Sequence, residues 1–122
     1  AGGKSFGGRM TSQAQAAAPL AGVRALVFVG FPLHPAGHPA SGRADHLDHV
    51  ALPMLFLQGT RDALADAGLM RALVERLGAR ATLEWFADAD HAFHVPAKSG
   101  RSDDQVREAI ADAVARWLDT IP

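Results

Sequence analysis

Gly3-Lys4-Ser5-Phe6-Gly7 fits G-x-S-x-G, the sharp strand-to-helix turn that lifts a serine hydroxyl clear of the backbone. A serine hydroxyl is a poor nucleophile near neutral pH. It needs a base to take its proton, a group to orient that base, and donors for the oxyanion that develops on the attacked carbonyl. Asp62 and His91 lie downstream in the order Ser, Asp, His, each after an apolar run. Met54-Leu55-Phe56-Leu57 leads into Gln58-Gly59-Thr60-Arg61-Asp62, and Thr82-Leu83-Glu84-Trp85-Phe86 leads into Ala87-Asp88-Ala89-Asp90-His91. If these runs are parallel strands, their C-terminal ends share one edge and the three side chains can meet there. The N–H of Phe6, at the head of the next helix, is the expected oxyanion donor. Gly3 and Gly7 are expected to clear side chains from the turn, and Gly8 to let the helix pack closely on its strand.

Each residue has a plainer reading. Ser5 alone is equally well an N-cap serine. Lys4-Ser5 after glycine resembles the tail of a phosphate-binding G-x-x-x-x-G-K-S loop, but the glycines after Ser5 and the Gly59-Thr60-Arg61-Asp62 turn fit that loop poorly. His94 competes with His91 as the base, yet stands three residues farther from the strand end. Asp88 and Asp90 compete with Asp62, and their ordinary role is a solvated turn. Arg9 and Arg43 either bind an acidic substrate group or form structural ion pairs. Phe31, Leu33 and Phe93 contact the acyl group or belong to the core. His34, His38, His46 and His49 suggest a metal site only weakly, because no matching carboxylates accompany them.

The elements that must position these residues alternate short apolar runs with longer amphipathic stretches, the pattern of a parallel sheet covered by helices. Strands are expected at 24–29, 54–57 and 82–86, the first two without the polar alternation of a half-exposed strand. A helix is expected over about 7–18, ended by Pro19. A second carries Leu69, Met70, Leu73, Val74 and Leu77 and stops at Gly78. A third starts at a capping box of Ser102 and Gln105 and presents Val106, Ile110, Ala113, Val114, Trp117 and Leu118 on one face. Residues 31–53 hold four prolines, two glycines and four histidines without a period. They read as an ordered loop forming one wall of a pocket, with a short helix around 45–50.

Composition narrows the function classes. The chain has 122 residues, 48% hydrophobic and 20% charged, as expected of one globular domain over 1–122. Twelve basic and thirteen acidic side chains give a net charge of -1 without a basic run, so nucleic acid is not an expected partner. No apolar stretch approaches the roughly 20 residues that span a bilayer, and a cytoplasmic setting is expected. Cysteine is absent, which excludes disulfides and thiolate catalysis.

Gly2-Gly3-Lys4-Ser5-Phe6-Gly7-Gly8-Arg9, Phe31-Pro32-Leu33-His34-Pro35, Leu57-Gln58-Gly59-Thr60-Arg61-Asp62 and Asp90-His91-Ala92-Phe93 together resemble an α/β-hydrolase. The likeness runs over essentially the whole chain and is nearest the small dienelactone-hydrolase-like group, in a branch of bacterial hydrolases related to a eukaryotic acetyltransferase-complex subunit. It implies the C-terminal part of an α/β-hydrolase, with Ser5 as nucleophile, His91 as general base and Asp62 as the acid. The implied reaction is acyl transfer to water from carboxylic esters or related small acyl substrates through a covalent acyl-serine; no cofactor and no metal are expected. A non-catalytic interaction module of the same fold is the alternative.

Only Ala1 and Gly2 precede the serine motif, so the strand that normally ends at the elbow is expected to be missing, leaving about three parallel strands. Residues 24–30 would then form an unpaired apolar edge, covered by an N-terminal part of the protein or by another copy of the chain. One oxyanion donor would be missing too, so this piece is expected to be weakly active or inactive.

Overall fold

The computed structural model describes residues 1–122. Its elements are β1 (Gly2–Lys4), α1 (Phe6–Ala17), β2 (Leu26–Val29), a 3₁₀ segment (Gly42–His49), β3 (Met54–Gly59), α2 (Ala67–Leu77), β4 (Ala81–Phe86) and α3 (Asp103–Leu118). All strand pairs are parallel, in the order β1-β2-β3-β4. The chain is thus an α/β fold with four parallel strands, one more than the sequence suggests.

The additional strand is Gly2–Lys4, which pairs with Val27–Val29. It escapes sequence reading because two glycines and a lysine carry no apolar pattern. Its place is set by its neighbour, since a Cβ on Gly2 would lie 2.1 Å from the Val27 carbonyl oxygen. The strand ending at the elbow is therefore represented, and β2 is paired on both sides. The open edge falls on β1 instead of on residues 24–30.

β3 is the central strand and all six of its residues are buried, as two covered faces require. Its alternating side chains divide the core. Met54 and Phe56 join Leu26, Phe28, Met70, Leu73 and Leu77 under α1 and α2, while Leu55 and Leu57 join Val106, Ala113 and Trp117 under α3. α2 starts at Asp66, whose carboxylate accepts from the Leu69 N–H at 3.0 Å, and ends at Gly78 with a left-handed φ of 66°. α3 carries the expected capping box, Ser102 accepting from the Gln105 N–H and Gln105 from the Ser102 N–H. Leu118 departs from the expected stripe and is exposed, because α3 ends there and the sheet no longer faces it.

Residues 31–53 do not form a pocket wall. Phe31, Leu33, Ala44, Leu47 and Val50 are fully buried and complete the core beneath α1 and α2, and no cavity is lined by this segment. Gln58, the one polar side chain of β3, ties its start down by accepting from the Phe31 N–H at 2.6 Å. His34 does the same farther on, with Nδ1 donating to the Pro35 carbonyl and Nε2 accepting from the Asp66 N–H. No helix is long and apolar enough to cross a membrane.

Candidate active site

Parallel topology brings the ends of β1, β3 and β4 to one rim, and the residues that follow them carry Ser5, Asp62 and His91. Ser5 sits at φ 53° and ψ -123°, a conformation that costs a non-glycine residue about 1–3 kcal/mol and persists only where surrounding structure enforces it. Two constraints enforce it here. The Ser5 N–H donates to the Val29 carbonyl at 2.9 Å, and its carbonyl accepts from the Arg9 N–H at 3.2 Å, so one residue bridges sheet and helix. The turn closes because Gly3 and Gly8 are pressed together: a Cβ on Gly3 would stand 2.6 Å from the Gly8 nitrogen, and one on Gly8 would stand 2.7 Å from the Gly3 oxygen. Gly7, expected to serve the same purpose, has open space where its Cβ would be, so the close approach belongs to Gly3 and Gly8.

Ser5 occupies the N-cap position of α1, but its side chain makes no capping bond. The hydroxyl lies 2.6 Å from His91 Nε2 instead. On the other side of the ring, His91 Nδ1 lies 2.7 Å from Asp62 Oδ2, and the Asp62 side chain is fully buried. An ionised carboxylate only accepts, so Nδ1 carries the proton and donates to Asp62, which leaves Nε2 free to accept from the Ser5 hydroxyl. Asp62 Oδ1 is satisfied separately by the Leu64 N–H at 2.8 Å, so the carboxylate is held at both oxygens. Three residues far apart in sequence thus form one hydrogen-bonded line, with a hydroxyl at its exposed end. The arrangement can move a proton off the hydroxyl onto the ring while the carboxylate steadies the ring's new charge.

The loop bearing His91 is built by groups whose role sequence reading missed. Gly59, closing β3, meets this loop directly: a Cβ there would lie 2.2 Å from the Ala89 oxygen, so only glycine lets the Asp62 and His91 loops touch. The Arg61 N–H then donates to the Ala89 carbonyl at 2.9 Å. Asp90 is no competitor for Asp62, since its Oδ1 accepts from the Ala92 and His94 N–H groups and folds the turn around His91. Asp88 has a left-handed φ of 64° in the same loop, and its N–H donates to the Thr60 hydroxyl at 2.8 Å.

His94 points outward, not toward Ser5. Its Nδ1 pairs with Asp103 Oδ2 at 2.8 Å, and Asp103 Oδ1 accepts from the Val95 N–H at 3.0 Å, so the first turn of α3 clamps the end of the loop. The hydrogen bond and charge of Asp103 raise the pKa of His94 above the ordinary imidazole value. The Val95 N–H and then His94 hold Asp103 below the ordinary carboxyl value. The His94 contribution is complete below the ordinary imidazole range and fades as pH rises through the raised value. The Asp103 contribution is present above the ordinary carboxyl range and fades as pH falls through the lowered one. Titrated by NMR, His94 is therefore expected to have a midpoint above about 6.5, returning toward that value in Asp103→Asn. An unchanged midpoint in the variant would mean that the clamp is not electrostatic.

Of the three side chains considered for acyl contact, two are placed otherwise. Phe31 and Leu33 are fully buried, Phe31 packing on Phe28 and Phe56, so they are core residues with no surface to offer a substrate. Phe93 is also mostly buried, but it lines a cavity of about 360 Å³ together with Lys4, Val29, Ala92 and Ile110. This cavity adjoins the site through Lys4, next to Ser5, and Ala92, next to His91. The Phe6 side chain is exposed at the rim, and its N–H is among the first of α1, which lack intrahelical acceptors. α1 has no acidic residue in its first turn, so the positive end of the helix faces the site uncompensated. Among the loop histidines, His34 and His46 spend ring nitrogens on Asp66 and Ser12, and no three potential ligands converge as a metal-binding group.

A family model described as an alpha/beta hydrolase domain matches residues 1–119. The chain belongs to the alpha/beta hydrolase family. Among solved structures, an α/β serine hydrolase without lid from Xanthomonas campestris is 28% identical with a TM-score of 0.63, over 99% of this chain and 48% of that one. An α/β serine hydrolase homologue from Coxiella burnetii shares the fold at 21% identity and a TM-score of 0.64, over 92% of this chain and 47% of its own. The esterase domain of a Rhodothermus marinus protein does so at 18% and 0.66, over 94% and 57%. The chain spans about half the length of the solved structures it matches.

Proposed function

We propose that this alpha/beta hydrolase is a serine hydrolase acting on small carboxylic esters or related acyl substrates, of the dienelactone-hydrolase-like kind and in a cytoplasmic setting. Ser5 is the nucleophile, His91 the general base and Asp62 the orienting acid. The observation that supports this most is the unbroken hydrogen-bonded line from Ser5 through His91 to the buried Asp62. In the first half-reaction Ser5 Oγ attacks the carbonyl carbon as its proton passes to His91 Nε2. The oxyanion is held by the Phe6 N–H, and the alcohol leaves with the proton from His91. Water then attacks the acyl-serine, its proton following the same path to the ring and on to Ser5 Oγ as the acid departs. No cofactor enters this scheme.

A fluorophosphonate probe tests the reading. Labelling of the folded protein at Ser5, lost in Ser5→Ala and reduced in His91→Ala, is the expected result. Folded full-length protein that never labels would favour the non-catalytic module. Ester turnover by the 122-residue chain alone is expected to be slow, because a second oxyanion donor is worth roughly a hundred- to a thousandfold. Turnover at the rate of a full-length hydrolase would contradict that. The open edge of β1 takes a strand from an N-terminal part of the protein or from another copy; a solution mass of 12.8 kDa, one copy, would overturn the second version.

A further inference from the structure

His91 belongs to a turn that is closed on itself. The Asp90 N–H donates to the His94 carbonyl and the Phe93 N–H to the Asp90 carbonyl, each at 3.0 Å, while Asp90 Oδ1 accepts from the Ala92 and His94 N–H groups, each at 2.9 Å. Residues 90–94 are therefore braced against one another, and the aim of the imidazole at Ser5 depends on how the turn as a whole is held. A misplacement of about 1 Å in such a group can cost roughly a hundredfold in rate.

Phe93 and Val95 bury their side chains under α3 and so fix the depth of the turn. Apolar burial has no direction, however, and leaves the bearing of the turn to hydrogen bonds. Before His91 these come from the loop after β3, through Arg61 to Ala89 and through the Thr60 hydroxyl to Asp88. After His91 they come from the first residue of α3: Asp103 Oδ2 pairs with His94 Nδ1 at 2.8 Å, and its Oδ1 accepts from the Val95 N–H at 3.0 Å. Two residues earlier, the Arg101 guanidinium donates to the Ala87 carbonyl at 2.7 Å. Residues 101–103 thus grip the loop where it leaves β4 and again just beyond His91.

We propose that Asp103 is a positioning residue for the general base: by holding His94 and Val95 together it aims His91 at Ser5, although it bonds to neither. The inference rests on the acyl-transfer reading of Ser5 and His91. A carboxylate in the first turn of a helix also steadies that helix through its dipole, a role with no bearing on catalysis. Asp104 separates the two roles, because it stands in the same turn of α3 but forms its ion pair with Arg107 on α3 itself.

The test compares Asp103→Ala, Asp103→Asn and Asp104→Ala in turnover of nitrophenyl acetate and in the exchange of the His91 Nδ1 proton with water, followed by NMR. In Asp103→Ala, kcat is expected to fall about tenfold or more with KM little changed, and the Nδ1 proton to exchange faster as its bond to Asp62 loosens. Asp103→Asn, whose oxygen still accepts from the Val95 N–H, should recover most of the loss. Asp104→Ala, which removes a charge from the same helix turn, should keep kcat within about twofold and leave the His91 proton as it is. Equal losses of kcat in the two alanine variants, or full kcat in Asp103→Ala, would overturn the proposal and leave the hydrolase reading intact. Asp103 also borders the cavity beside Phe93, so a raised KM at unchanged kcat would make it a substrate contact and overturn the proposal as well. A His91 proton that responds to Asp103 in a protein that cleaves no ester would keep the positioning role and remove the hydrolase reading instead.

Discussion

Replacing Ser5 with alanine is expected to bring ester turnover down to the level of the uncatalysed reaction plus whatever binding alone supplies, a loss on the order of a millionfold where a second oxyanion donor is present and smaller by that donor's share in the 122-residue chain alone. The size of the effect follows from the hydroxyl's unique position. No other hydroxyl lies within hydrogen-bonding distance of His91, and Ser12, the nearest serine on α1, is fully buried and committed to Arg9 and His46. His91→Ala should lose about as much, and the double variant hardly more, because nucleophile and base act as one unit. The check is steady-state turnover of an activated ester by each variant, with folding confirmed by circular dichroism. Independent, multiplying losses would mean that the two residues do not share a step.

Asp62→Asn is expected to cost about ten-thousandfold in kcat while leaving the fold intact. The fully buried Asp62 carboxylate accepts the hydrogen bond of the His91 Nδ1–H at 2.7 Å, so it fixes which ring nitrogen is free. An asparagine can turn its amide N–H toward the ring, and Nδ1 then becomes the acceptor. The proton moves to Nε2, which can no longer accept from Ser5. The loss should appear in kcat, with the unfolding midpoint little changed, since the asparagine oxygen still accepts from the Leu64 N–H. A variant that keeps its turnover would show that Asp62 only packs against the loop.

How much of this was legible in the sequence depends on which interactions set each element. Strands β2, β3 and β4 and all three helices carry their own signals: continuous apolar runs, a helical stripe ending at Gly78, and the box of Ser102 and Gln105. Ser5, Asp62 and His91 could be placed together because parallel strands share an edge, an argument that needs only their order and the runs before them. β1 was not legible, since Gly2 and Gly3 are selected by the backbone they lie against, and that backbone is more than twenty residues away. Phe31 and Leu33 looked available to substrate because residues 31–53 have no period, yet an aperiodic segment can bury side chains as fully as a helix when it closes a core. Gln58 did leave a trace, as the single polar side chain in an otherwise apolar strand. Asp103 left none, because its reach to His94 and Val95 exists only after α3 has docked.

The tautomer of His91 tests the account most directly. A long-range ¹H–¹⁵N spectrum of the wild-type chain near neutral pH should show the proton on Nδ1 and a bare Nε2, as the bonds to Asp62 and Ser5 require, with the pattern reversed or mixed in Asp62→Asn. A His91 ring that carries its proton on Nε2, or that samples both nitrogens freely while Asp62 is intact, would contradict the relay on which every functional statement here depends.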